Sequence, residues 1–285
     1  MKNKDFCIFI LTHGRANKVL TYNTLIKAGC KYPIYIVIDN EDKTANEYYE
    51  NFGKDKVIMF DKLKVSKTFD QADNFDNRKC IVYARNVCFD LAEDLGYKYF
   101  LQLDDDYTDF RYKYNEESIY GDWTIKKDID KVFDITLDFY KSTNFLTISY
   151  SQGGDFIGGK NGSGAEKMYI KRKAMNTFFC STERRFKFQG RINEDVNTYT
   201  NLGSKGNLIG QINNIAINQL TTQTNSGGMT DMYLDGGTYL KSFYTVIFSP
   251  SCTKISLMGA VNPRLHHKIS WNNAVPKIIS ENLKK

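Results

Sequence analysis

Residues 82–106 read VYARNVCFDLAEDLGYKYFLQLDDD, and this stretch decides the fold class. Ala84, Val87, Cys88, Leu91 and Ala92 recur at the spacing that builds one apolar helix face. The pattern predicts a helix from Asn77 to Gly96, with Gly96 as its stop. Tyr97 to Leu103 (YKYFLQL) follows as a strand, and it runs directly into Asp104, Asp105 and Asp106. A helix succeeded at once by an apolar strand is half of a βαβ unit.

Upstream the same alternation repeats. Phe6 to Leu11 (FCIFIL) is a continuous apolar run, as expected for a strand covered on both faces. A helix is expected from about Ala16 to Gly29, a second strand over Ile34 to Ile38 ending at Asp39, a helix over Thr44 to Phe52, and a third strand over Val57 to Phe60. This order predicts parallel strands with right-handed crossovers, a Rossmann-like α/β sheet. Downstream the pattern loosens. An amphipathic helix is expected over Ile125 to Tyr140 and a strand over Phe145 to Tyr150, followed by a glycine-rich loop from Gly153 to Gly164. The short strands and polar stretches beyond suit an α+β region. Neither a repeat nor a linker interrupts residues 1–285, so one domain is expected.

In open α/β sheets ligands bind beyond the carboxyl ends of the strands. Three polar groups stand at such ends: Thr12 to Arg15, Asp39, and Asp104 to Asp106. Three adjacent carboxylates repel one another unless cations relieve them. Hard oxygen ligands of this kind select Mg²⁺ or Mn²⁺, which share a few carboxylates with substrate phosphates. In a strand geometry Asp104 and Asp106 point one way and Asp105 the other. An acidic loop capping the next element is the competing reading of the triplet.

Composition sets the class. The chain is 41% hydrophobic and 25% charged, with 4 prolines, and its mean hydropathy is −0.47. No apolar run approaches the roughly 20 residues that span a bilayer. The start, MKNKDFCIFILTHGR, reads as a buried strand rather than a signal peptide. Six scattered cysteines without CxxC pairing read as reduced, mostly buried thiols, and a cytoplasmic location is expected. Residues 1–159 carry 22 Lys and Arg against 26 Asp and Glu, whereas residues 160–285 carry 17 against 7. Such a basic half attracts phosphates and nucleic acids, or serves as a solvated surface.

The stretch from Val82 to Asp106 resembles the core of GT-A-fold glycosyltransferases, in which an Ala-Arg-Asn helix start and an apolar strand lead into a DxD metal motif. ILTHGRANKVLTYNTL resembles that fold's first strand, loop and helix, and IYIVIDN its second strand. The resemblance covers about residues 5–110 and implies a mixed sheet, a nucleotide-sugar donor, most often a uridine diphosphate (UDP) sugar, and Mn²⁺ or Mg²⁺ as cofactor. It divides the domain into a nucleotide-sugar-binding half, 1–110, and an acceptor-binding and catalytic-base half, 111–285. It also implies that Thr12 and Arg15 line the nucleotide pocket, that Asp39 accepts from the base, and that Arg85 faces the donor. Asp104 would reach ribose or metal, Asp105 would join the donor site, and Asp106 would bind metal. The first loop departs from the family: His13-Gly14 stands where an aromatic and Asn are common. His13 itself reads as a loop hydrogen-bonding residue.

Asn193-Glu194-Asp195-Val196 resembles the family's Glu-Asp pair, in which a carboxylate at a helix start acts as general base. An acceptor hydroxyl needs such a group to take its proton. Asp195 is the expected base and Glu194 the runner-up; an ordinary N-terminal acid pair is the alternative. The resemblance also implies a late histidine as a further metal ligand, and His266-His267 supplies two, expected to point in different directions; a surface pair of histidines is the competing reading. Two basic stretches, EKMYIKRK (Glu166 to Lys173) and ERRFKFQGR (Glu183 to Arg191), interleave cations with aromatics, a pattern that suits phosphate contacts and base stacking. In general character the chain is similar to phage DNA-base-modifying glycosyltransferases of the TET-associated type, which implies hydroxymethylated pyrimidine in DNA as acceptor. Transfer to a surface glycan or lipid-linked sugar, and nucleotidyl transfer, are the alternatives. The last would want a glycine-rich loop after the first strand, where THGRANK has one glycine.

Overall fold

A computed structural model of the chain describes residues 3–73, 76–162, 168–220, 240–259 and 263–283. The first half alternates as β1 (Phe6–Leu11), α1 (Leu20–Lys27), β2 (Ile34–Asp39), α2 (Ala45–Phe52), β3 (Val57–Phe60), α3 (Lys62–Ser66), α4 (Val82–Asp94) and β4 (Tyr99–Asp104). There follow β5 (Tyr107–Tyr114), β6 (Tyr120–Thr124), α5 (Ile129–Ser142), β7 (Phe145–Gln152), β8 (Met168–Tyr169), β9 (Phe178–Ser181), α6 (Glu194–Ser204) and β10 (Leu208–Gln219). The last described elements are α7 (Leu240–Phe248), β11 (Thr253–Met258), β12 (Arg264–Ile269) and α8 (Trp271–Ala274).

Ten strands form one mixed sheet in the order β3-β2-β1-β4-β9-β7-β10-β5-β6, with β8 attached to β10. The four strands of the first half run parallel, as their apolar runs predict. β9 joins antiparallel to β4 and carries the sheet into the second half. All six residues of β1 are buried, because Phe6, Ile8 and Ile10 enter one core and Cys7, Phe9 and Leu11 the other. β11 and β12 pair only with each other, outside the main sheet. No described helix is long and apolar enough to cross a membrane. All six cysteines are free, and five are buried.

The helices begin later than periodicity alone predicts. α4 starts at Val82 rather than Asn77, because the Asn77 side chain accepts from Lys79 N–H and its carbonyl accepts from Arg191. That local turn competes with helical bonding. α1 starts at Leu20, since residues 12–18 are spent on contacts described below. α5 starts at Ile129, because Ile125 N–H still bonds Phe110 O across the sheet edge. The glycine-rich loop forms two 3₁₀ turns, Gly153–Phe156 and Gly159–Asn161; residues 163–167 lie outside the described residues.

Candidate active site

Register brings the strand ends together. Leu11 pairs with Val37 on one side and with Asp104 on the other, so the residues after β1, β2 and β4 emerge side by side. Thr12 Oγ1 donates to Asp105 Oδ2 at 2.6 Å, and Arg15 Nη1 to Asp105 Oδ1 at 3.1 Å. Tyr48 from α2 fixes the same loop, its hydroxyl lying 3.0 Å from Thr12 Oγ1 and accepting from Arg15 N–H at 2.9 Å. Gly14 takes a φ of +69°, a conformation side chains disfavour, and its N–H reaches Asp42 Oδ2 at 2.7 Å.

Asp39 is buried and already partnered. Its Oδ2 meets His13 Nδ1 at 2.7 Å and Lys62 Nζ at 3.0 Å, and its Oδ1 accepts Glu41 N–H at 3.0 Å. Burial works against its charge, but His13 and Lys62 more than offset that and hold its pKa below the ordinary value. His13 thus acts as the loop hydrogen-bonding residue expected. Lys62, Tyr48 and Asp42 carried no local signal in the sequence, because their roles arise only when distant strand ends meet.

Asp104 and Asp105 turn to different partners, as alternation along a strand predicts. Asp105 turns to Thr12 and Arg15, whereas Asp104 Oδ1 accepts from Arg85 Nη2 at 2.9 Å. Arg85 Nε donates to Glu194 Oε1, also at 2.9 Å. One guanidinium therefore ties the end of β4 to the start of α6. It is 2% exposed and lies over the rings of Phe178 and Phe188, at 5.0 and 5.8 Å. Its backbone carbonyl is held by Gln102 of β4, and its Nη1 is buried without a protein partner among the described residues. Asn193, at φ +56°, turns the chain into α6 and donates to Lys241 O and Thr245 Oγ1 of α7.

Burial raises the pKa of Asp104 to about 7; Arg85 opposes this, while Asp106 and Glu194 add to it. Asp106 is raised to about 6, first by burial and then by Asp105. Asp105 is raised as well, by burial, against the pull of Arg15 and Thr12. Asp195 is raised by burial and by Glu194, and among the described residues its carboxylate accepts only Val196 N–H, at 2.7 Å.

The donor chemistry at Asp104 and Asp106 fits a hard divalent cation. The Asp106 carboxylate is met only by its own backbone N–H among the described residues, and neither carboxylate is fully compensated by the protein. Two carboxylates leave the remaining positions to water and phosphate, as Mg²⁺ and Mn²⁺ require. Among the described residues no group of three His, Cys, Asp or Glu side chains is gathered closely enough to hold a metal ion by itself. His266 and His267 stand on β12 with their rings stacked at 4.2 Å, instead of pointing apart as expected. His267 Nδ1 lies 3.4 Å from Asn193 Nδ2, and burial, His266 and Lys241 hold it neutral down to a pKa of about 4.

Both basic stretches supply braces, and in one of them the aromatics face the core instead of forming a stacking surface. In ERRFKFQGR, Phe186 and Phe188 are buried in the core. Arg184 donates to the carbonyls of Tyr140 and Phe145, Arg185 pairs with Asp90 and Glu93, and Arg191 pairs with Asp73. In the other stretch Arg172 and Lys173 both meet the buried Asp155, while Glu166 and Lys167 lie outside the described residues.

A family model described as TET-Associated Glycosyltransferase matches residues 6–228. Among solved structures, the crystal structure of S. aureus TarS 1–349 is similar at 13% identity and a TM-score of 0.43, over 86% of this chain and 65% of that one. The chain thus spans just under two thirds of that relative's length. No curated protein matches it. The family match includes the strand-end loops, Arg85, the three aspartates and Glu194-Asp195, and stops before His266. Covering well over half of the sequence, it settles the family: the chain belongs to the TET-associated glycosyltransferases.

Proposed function

We propose that this glycosyltransferase moves a sugar from a nucleotide-sugar donor, a UDP-sugar, to the hydroxyl of a hydroxymethylated pyrimidine in DNA, with Asp195 as general base. The observation that supports the reading is the buried Arg85 bridge, which joins Asp104 at the end of β4 to Glu194, the neighbour of Asp195. Thr12, Arg15 and Asp105 form the wall of the nucleotide pocket. Asp39 contacts the base with the acceptor capacity left after His13, Lys62 and Glu41. Glu194 is held by Arg85, so it serves as a positioning residue, and Asp195 is left to take the acceptor proton. A divalent cation, Mn²⁺ or Mg²⁺, on Asp104 and Asp106 would supply the charge that stabilises the departing diphosphate.

The name of the family and the basic second half support a DNA acceptor. The test is a transfer assay with Mn²⁺, a panel of UDP-sugars, and duplexes with or without hydroxymethylated pyrimidine. Transfer is expected only to the hydroxymethylated duplex, and Asp195→Asn should lower it at least 100-fold, within the usual range for losing a general base. Turnover of no donor, or wild-type transfer by Asp195→Asn, would overturn the reading.

A further inference from the structure

The formal charge of the chain is +6, and residues 240–285 account for all of it. They hold seven Lys and Arg against one acid, Glu281, which leaves 32 charges of each sign in residues 1–239. Three of the five described cations of this stretch stand on one hairpin. In the β11–β12 register Lys254 stands directly opposite Lys268, and Met258 opposite Arg264, four residues along the same side. Like charges placed directly opposite destabilise an antiparallel pair. All three cations are exposed and none forms an ion pair with a described acid. A repulsion of this kind, kept on an exposed ribbon, is relieved by an anionic partner.

The hairpin is also fixed relative to the site. Ser242 Oγ of α7 donates to Leu265 O at 3.2 Å, and Thr253 Oγ1 to Thr245 O at 3.2 Å. On that same face His267 meets Asn193, the residue before Glu194-Asp195. Toward its distal end Leu257 is 69% exposed, and Met258 and Leu265 are exposed too. A two-stranded ribbon fits the roughly 12 Å width of a DNA major groove. Apolar side chains at its end are of the type that wedge between bases, and a base must leave the stack before chemistry reaches it.

We propose that the β11–β12 hairpin is the element that grips the DNA, with Lys254, Arg264 and Lys268 on the phosphate backbone, and so delivers the acceptor base to Asp195. The proposal rests on the DNA-acceptor reading above and adds to it the surface that does the binding. Cations on a ribbon next to the base, rather than the buried aromatics of residues 183–191, then account for the affinity of the basic half.

The test follows binding of the full chain to a labelled hydroxymethylated duplex by fluorescence anisotropy across a salt series. The triple variant Lys254→Gln, Arg264→Gln, Lys268→Gln should bind more weakly. Its slope of log K against log salt should fall by roughly 2 to 3, since each lost phosphate contact removes about 0.9. Hydrolysis of the donor without DNA should stay at the wild-type rate, which shows that the donor site and fold are intact. A wild-type slope in the triple variant, or donor hydrolysis lost in parallel with binding, would overturn the assignment. So would displacement of the duplex by vesicles of anionic lipid at equal charge, which would make the hairpin a membrane-binding element. A wild-type chain that turns over donor yet never binds DNA would end both this proposal and the DNA acceptor, while leaving glycosyl transfer in place.

Discussion

Without the Arg85 guanidinium, Asp104 and Glu194 would face each other in a space walled by Phe178 and Phe188. Removing one member of a buried charge network leaves the others uncompensated and costs about 3–5 kcal/mol. Arg85→Met is therefore expected to lower the unfolding free energy by that amount, read as a lower urea midpoint, and Arg85→Lys to recover only part of it, since one ammonium cannot reproduce the fork. An unchanged midpoint in Arg85→Met would show that the bridge is structurally idle. With Asp195 as the proposed base, the pH dependence follows its ionisation. Burial and the charge of Glu194 raise its pKa, so kcat/KM should climb with pH as the proton leaves. Glu194→Gln should move that acid limb to lower pH; a limb that stays put or moves up would remove Asp195 from the base role. The stability sign is opposite. A carboxylate raised in the folded state contributes fully below its unfolded value near about 4 and loses that contribution as pH rises through the folded value. For the cation, Mn²⁺ should raise the Tm of the wild type and not of Asp106→Ala, as scanning calorimetry would show; equal shifts would place the ion elsewhere.

Elements were legible where burial is written into consecutive residues. FCIFIL and IYIVI could only be strands covered on both faces, and their ends could only be neighbours in a parallel sheet. The strand-end residues Thr12, Arg15, Asp39 and Asp104 to Asp106 were visible for that reason. Lys62 and Tyr48 were not, because a buried lysine looks like any surface lysine until Asp39 is packed against it. ERRFKFQGR misled for a related reason: alternation of cations and aromatics is the same whether the rings face solvent or, as here, the core. Helix starts erred where Asn77 and Ile125 found non-helical partners. The α6–α8 contact is a further case that only the structure exposes. A Cβ on Gly203 would lie 2.2 Å from the Ala274 carbonyl oxygen, a backbone atom with little room to move. Gly203→Ala should cost on the order of 1–3 kcal/mol by overpacking, with faster proteolysis at residues 271–276. A variant with wild-type Tm would mean that α8 is not held against α6 in solution.

At the scale of the molecule, the question is whether residues 1–110, the half expected to bind the donor, stand alone. Its sheet does not close within it: β4 has β1 on one side and β9, from residues 178–181, on the other. Its core is shared too. Phe6 stacks on Phe179 at 6.1 Å and meets Phe133 of α5 at 6.4 Å, and Tyr150 and Ile217 belong to the same apolar cluster. Cutting after residue 110 would strip that face of β1 of its cover and leave β4 as an unpaired apolar edge, a template for aggregation. The end of β4 depends on the second half too, because Asp104 is tied through Arg85 to Glu194. Residues 1–110 expressed alone are therefore expected to aggregate or to lack native circular dichroism, while the full chain unfolds in one cooperative transition with coincident fluorescence and dichroism curves. A soluble, cooperatively folded 1–110 fragment that binds UDP would show that the donor half is an independent unit, and that the Arg85 bridge joins two folding units instead of completing one.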